Sequence, residues 1–101
     1  MGVIMITINK NEIKKLEKYY TKEITSELID NLVDELAELM EKSSGLEVEI
    51  FQDMDNPNYY RLYAECSAVE VYLENNRIQI DFDIGWQLSS NNQLTEGILE
   101  Y

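Results

Sequence analysis

Apolar residues recur at helical spacing up to Met40 and at every second position from Leu46 onward. This change of period divides the chain into a helical part and a β part. A short apolar run at residues 5–8 fits an edge strand or a lead packed on the core. It is followed by a helix-start signal: Asn9 at the N-cap, Glu12 three residues later as in a capping box, and Ile8 and Ile13 at hydrophobic-staple positions. A helix is therefore predicted from Lys10. Ile13, Leu16 and Tyr20 carry its stripe, and Thr21 breaks or re-caps it. A longer segment follows, with Ile24, Leu28, Ile29, Leu32, Val33, Leu36, Leu39 and Met40 at helical spacing, ending at Ser43-Ser44-Gly45. Gly45 suits the left-handed C-terminal position.

Four runs of period two make up the β part. Leu46, Val48 and Ile50 alternate with Glu47 and Glu49. After an Asp/Asn/Pro-rich turn at residues 53–58, Tyr60, Leu62, Ala64 and Cys66 alternate with Arg61, Tyr63 and Glu65. Val69, Val71 and Leu73 form the third run, and Ile78, Ile80, Phe82, Ile84 and Trp86 the fourth. Each has one apolar face. Residues 87–94 read as loop, and residues 95–101 read equally as a helical turn or an added strand. The expected architecture is α+β and two-layered: an N-terminal helix or helix pair packed on a four-stranded antiparallel meander, with residues 1–101 forming one domain.

The turns set the register. Asn tolerates positive φ, so a two-residue turn at Asn75-Asn76 pairs Leu73 with Ile78, Val71 with Ile80 and Glu70 with Asp81. A five-residue loop at residues 54–58 sets Ile50 against Leu62 and Glu47 beside Glu65. Between Cys66 and Val69 the parity flips. A turn at Ser67-Ala68 would set Glu65 against Glu70 and Tyr63 against Tyr72, although Ser-Ala is poor chemistry for such a turn; a bulge is the alternative. With all three hairpins formed, Glu47, Glu65, Glu70 and Asp81 make one row across the sheet, flanked by Glu49 and Asp83, with Tyr63 and Tyr72 in the next row. Two unit charges about 5 Å apart in water repel by roughly 0.8 kcal/mol, so three such pairs would cost about 2.5 kcal/mol. An alignment of that cost points to a purpose other than stability.

The charge distribution extends this picture. Of 20 acidic and 8 basic residues, residues 1–22 hold Lys10, Lys14, Lys15, Lys18 and Lys22 against Glu12 and Glu17, leaving 18 acids against Lys42, Arg61 and Arg77 in the remainder. The long helical segment has its own acidic face at Glu23, Glu27, Asp30, Asp34, Glu38 and Glu41. Direct binding of nucleic acid or anionic membrane is not expected, because both need Lys/Arg clusters that the acidic part lacks. The N-terminal lysines, with Lys14, Lys18 and Lys22 along one helical face, read as a solvated face or a contact for an acidic partner. A hydrophobic content of 45% separates the chain from disordered acidic tails. The single Cys66 and the lack of a leader-like segment fit a cytoplasmic location, that of a bacterial host if the chain is phage-encoded.

No catalytic constellation is evident. Asp81 and Asp83 share a strand face, but paired carboxylates need a cleft that the sequence does not encode. Residues 53–58 begin like an EF-hand loop, yet Pro57 stands at the fifth position, Asn58 replaces the needed Gly, and Ala64 replaces the bidentate Glu. With no His to activate it, Cys66 reads as a small buried residue. The expectation is a non-enzyme without metal or cofactor.

The residues match no family motif. In composition and size alone, this short acidic chain resembles the nucleic-acid mimics made by phages and mobile elements, including anti-CRISPR, restriction and glycosylase inhibitors. That resemblance implies a protein partner with a basic nucleic-acid-binding groove. The residues expected to meet it are Glu47, Glu49, Tyr63, Glu65, Glu70, Tyr72, Asp81 and Asp83, presented by a monomer or homodimer. The other expectation is a small assembly subunit or adaptor that pairs through a helix or a sheet edge.

Overall fold

The computed structural model describes residues 6–20, 24–65, 67–82, 86–90, 93–95 and 98–100. Strand β1 (Ile6–Asn9) leads into helix α1 (Lys10–Ile13), which tightens into a 3₁₀ helix over Lys14–Tyr20. At three residues per turn, Ile13, Leu16 and Tyr19 fall on one line. Ile13 and Leu16 are fully buried, and Tyr19 packs against the core beside them. The expected stripe named Tyr20 on the α-helical period; at the 3₁₀ period Tyr19 continues it, and the Tyr20 side chain lies outside the described residues.

Helix α2 spans Ser26–Ser44, and both of its ends are closed by named groups. The Thr25 hydroxyl accepts the Leu28 N–H at 3.2 Å, satisfying one of the unpaired donors of the first turn. At the other end Gly45 takes φ 71°, and its N–H donates to the Glu41 carbonyl at 2.8 Å. Ser44 Oγ donates to the Met40 carbonyl and accepts the Leu46 N–H. Ile29, Leu32, Val33, Leu36, Ala37 and Met40 form the buried stripe between these caps.

The expected four-stranded antiparallel meander is present as β2 (Glu49–Gln52), β3 (Tyr59–Ala64), β4 (Ser67–Glu74) and β5 (Arg77–Phe82), and α2 packs on it through β3. Asn75 and Asn76, with φ 53° and 61°, close the β4–β5 hairpin in the predicted register. The β2–β3 register also agrees with prediction, pairing Ile50 with Leu62. Its loop is held by side chains: Asp53 Oδ1 accepts the Asp55 and Asn56 N–H groups, and Asn56 Oδ1 accepts that of Asn58.

Three features depart from the sequence reading. The β3–β4 turn lies between Ala64 and Ser67, which pair with each other, and not at Ser67-Ala68. The last apolar run is not one strand: β5 stops at Phe82, while Trp86 opens β6 (Trp86–Ser90). The stretch expected as loop holds β6 and β7 (Gln93–Thr95), where β6 pairs parallel with β1 and antiparallel with β7. Pairing with β1 outweighs the weak strand propensity of Ser and Gln, as tertiary context often does. Within the final segment, β8 (Ile98–Glu100) adds to β5, giving a five-stranded sheet ordered β2-β3-β4-β5-β8 beside the three-stranded β1-β6-β7.

The apolar face of the larger sheet (Leu62, Ala64, Val69, Val71, Ile78, Ile80, Phe82) meets the stripe of α2 together with Ile8, Ile13 and Leu16 in one core. Among the described residues, no helix is long and apolar enough to cross a membrane. Helix and sheet are also joined by a polar tie: the buried Tyr60 donates its hydroxyl hydrogen to the Asp30 carboxylate. Burial, reinforced by that bond, pushes the Tyr60 hydroxyl up to about 12.

A tyrosine whose folded value is raised contributes stability that is complete below its ordinary value near 10 and is lost as pH rises through about 12. Tyr60→Phe should therefore cost about 1 kcal/mol at neutral pH. Its urea-derived stability should also fall less steeply than that of the wild type between those two pH values. At Gly45 an added Cβ would meet no atom within 4 Å. Gly45→Ala should nevertheless destabilise by about 1 kcal/mol in the same denaturation assay, through positive φ alone.

Candidate functional site

The position of the β3–β4 turn decides what faces what on the outer side of the sheet. Its register sets Arg61, and not Glu65, opposite Glu70, and Tyr59, and not Tyr63, opposite Tyr72. One row across β2–β5 therefore reads Phe51, Arg61, Glu70, Asp81. The expected row of four carboxylates does not form. Glu65 sits in the turn at φ 55° and Glu47 precedes β2; from the predicted set, Glu70 pairs with Asp81, and Glu47 and Glu65 line one concavity without joining that row. Asp83 lies outside the described residues, as do Glu23 of the helical face and Cys66.

This outer face is cross-linked through Arg61. Its Nε lies 3.4 Å from a Glu70 carboxylate oxygen, its Nη1 donates to the Tyr63 hydroxyl at 3.3 Å, and its guanidinium stands 5.9 Å from the centre of the Tyr59 ring. Those contacts hold the guanidinium above its ordinary value, the Tyr63 bond first. Tyr59 donates to Glu70 and stacks on Tyr72 with ring centres 5.4 Å apart, and Phe51 meets Tyr63 edge-on at 5.5 Å. Burial raises the Tyr59 and Tyr72 hydroxyls; the bond to Glu70 adds to this for Tyr59, and the fields of Asp81, Glu74 and Glu70 for Tyr72. Opposite charges and aromatic pairs across neighbouring strands are what stabilise a sheet. Three of the predicted site residues, Tyr63, Glu70 and Tyr72, thus serve this network.

Glu47, Glu49, Tyr63 and Glu65 do come together, at the other end of β2–β3. With Leu46 they line a shallow concavity of about 300 Å³. Three carboxylates share it, and Arg61 reaches only as far as Tyr63. Among the described residues, no group of three or more metal-ligating side chains has the geometry to hold an ion.

The more extensive anionic surface lies on α2. Glu27, Asp30, Asp34, Glu38 and Glu41 are all exposed and follow one another at steps of three or four residues. At 1.5 Å rise per residue they span about 21 Å. Among the described residues, Glu38 shares a concavity with Lys15 and Lys42, but the ion pairs of the cations go to carboxylates off this stripe. Lys18 Nζ is 2.6 Å from Glu35, which also accepts the Tyr19 hydroxyl at 2.9 Å, and Lys42 reaches Glu12 at 3.7 Å. Burial alone would raise the Glu35 carboxyl, but its bonds to Lys18 and Tyr19 outweigh that and hold it below the usual range. On the other flank Asp30 accepts from Tyr60, and Glu41 accepts the Val48 N–H at 3.2 Å. Because Val48 lies between Glu47 and Glu49, the C-terminal end of the helix stripe meets the acidic concavity.

The sequence identified both acidic surfaces but favoured the sheet. The missed signal was Arg61, which a turn moved by two residues sets against Glu70 without changing which face any residue occupies. No family model, no curated protein and no solved structure matches the chain.

Proposed function

We propose that this protein is a non-enzymatic acidic inhibitor or modulator that occupies the basic nucleic-acid-binding groove of another protein. On this reading it acts as a nucleic-acid mimic, presenting the α2 stripe together with Glu47, Glu49 and Glu65. The observation that carries the reading is the stripe of five exposed carboxylates, none of which is joined to Lys or Arg by the ion pairs of the described residues. Its charge spacing, about one per 5 Å of helix, is of the same order as the one per 3.4 Å along a single strand of duplex DNA. The helix is capped at both ends and backed by the core, so these charges are held in fixed positions. Neighbouring like charges on a helix cost about 0.2–0.5 kcal/mol per pair, or about 1–2 kcal/mol over the four successive pairs. A cationic groove would relieve that repulsion and steer the encounter.

A second reading, an assembly subunit that pairs through a sheet edge, draws support from the exposed Ile50 and Phe51 of β2. It differs in requiring self-association that resists salt.

The test is competitive release of proteins from DNA. With bacterial nucleic-acid-binding proteins loaded on duplex-DNA cellulose at about 50 mM salt, the wild-type chain should release a subset of them, and at about 0.5 M salt the effect should vanish. The triple variant Glu27→Lys, Asp34→Lys, Glu38→Lys alters none of the hydrogen bonds that tie α2 to the sheet and should keep the wild-type circular dichroism. It should need at least about tenfold more protein for the same release. Release no greater than that caused by an unrelated protein of equal net charge, or equal release by the variant, would overturn the reading.

A further inference from the structure

We infer that the open edge of β2 receives an extended segment of the partner protein as an added strand, in which two apolar residues are followed by Lys or Arg. This inference rests on the reading of the chain as a binder of cationic surfaces, and it names the form in which the partner arrives.

The main-chain geometry comes first. The Asp53 N–H donates to the Tyr59 carbonyl at 2.9 Å. By the alternation of an antiparallel ladder, Phe51 and Glu49 then turn their N–H and C=O groups toward β3, while Val48, Ile50 and Gln52 turn theirs away. The Val48 N–H is already taken by the Glu41 carboxylate. Ile50 and Gln52 follow on the same edge, and among the described residues nothing bonds their main-chain groups. At the other side of the sheet, β5 is covered by β8.

The side chains of this edge point the same way. Natural sheets protect an edge by shortness, charged side chains (Lys above all), Pro, bulges or a covering element. β2 is a four-residue strand, Glu-Ile-Phe-Gln, whose one charge is Glu49 and which has no Lys or Pro, and Ile50 is 41%, Phe51 52% and the neighbouring Met54 99% exposed. Glu47, Glu49 and Glu65 stand at the start of the strand, and Glu41 reaches it from the helix. An incoming strand therefore finds apolar contacts at Ile50 and Phe51 and carboxylates at one end, a pattern that selects cationic segments by charge complementarity. A second copy fits less well. Two-fold pairing centred on Ile50, which preserves the faces of the sheet, sets each Glu47 opposite the other copy's Asp53 and joins two chains of net charge -12.

The probe is the acetylated, amidated peptide Thr-Thr-Val-Val-Lys-Thr-Lys-Thr, which in antiparallel alignment sets its valines opposite Phe51 and Ile50 and its lysines opposite Glu49 and Glu47. Two companions separate the contributions: one N-methylated at the residues facing Ile50 and Gln52, and one with Glu for Lys. With the full wild-type chain, the Lys peptide should shift the Ile50 and Gln52 amide resonances and protect them from hydrogen exchange. Both companions should bind at least about tenfold more weakly by fluorescence anisotropy. Equal affinity for the N-methylated peptide, with shifts confined to α2, would overturn strand addition while leaving the charge reading intact. Equal affinity for the Glu peptide would remove the cationic partner and with it the charge reading. No shift at Ile50 or Gln52 at saturating peptide would also overturn the proposal, as would concentration-dependent protection of these amides without peptide, which would make a second copy the occupant.

Discussion

The hydrogen-bond register between β3 and β4 is the constraint on which the surface chemistry of this protein depends. A turn between Ala64 and Ser67, with Glu65 at φ 55°, pairs these two residues and brings Arg61 to Glu70 and Tyr59 to Tyr72. Moving the turn by two residues would leave every apolar side chain on its present face, since the side-chain period of a strand is two. The core therefore does not distinguish the two registers strongly; the outer face does. The present register sets Arg61 in place of Glu65 against Glu70 and so removes a Glu–Glu contact, while either register places a tyrosine opposite Tyr72. By the size of such cross-strand terms, the loss of that contact favours it by up to about 1 kcal/mol.

The same allocation explains why the anionic surface lies on the helix side. Arg61 is held by Glu70 on the sheet, while Lys18 and Lys42 fasten the N-terminal helices to α2 through Glu35 and Glu12. On the other flank of α2, Asp30 and Glu41 bond the β2–β3 hairpin through Tyr60 and Val48. Carboxylates at both margins of the helix thus work within the fold. Those along the middle, Glu27, Asp34 and Glu38, have no such role in the described structure and make the chain's strongest case for an external partner.

Much of this was legible from residue spacing. The Asn75-Asn76 turn, the Gly45 cap, the buried stripe of α2 and the β2–β3 register all follow from local rules that the structure obeys. What was not legible depended on non-local pairing. The strand character of Trp86–Ser90 comes from lying beside β1, some eighty residues earlier in the chain, and no local propensity signals it. Tyr19 joins the stripe because the helix tightens to the 3₁₀ period after Ile13, a change that a window tuned to 3.6 residues does not register. For the candidate site, the residues were readable but their grouping was not, because one parity flip admits two turns that leave the core unchanged and give opposite surfaces.

The Glu41–Val48 bond connects the two parts of the anionic surface. An edge-strand N–H exposed to water has no need of a carboxylate partner, yet this one receives a side chain from the helix, which fixes the C-terminal end of the acidic stripe against the beginning of β2. From there the chain continues into an edge whose next outward main-chain groups, at Ile50 and Gln52, meet no partner among the described residues. Charge on its own confers fast encounter but little selectivity, because any cationic surface satisfies it. Backbone pairing on its own confers affinity for any extended chain. Joining them at a single carboxylate gives the surface a means of requiring both, which on the proposed reading lets an acidic surface with no metal cluster among the described residues discriminate among basic partners.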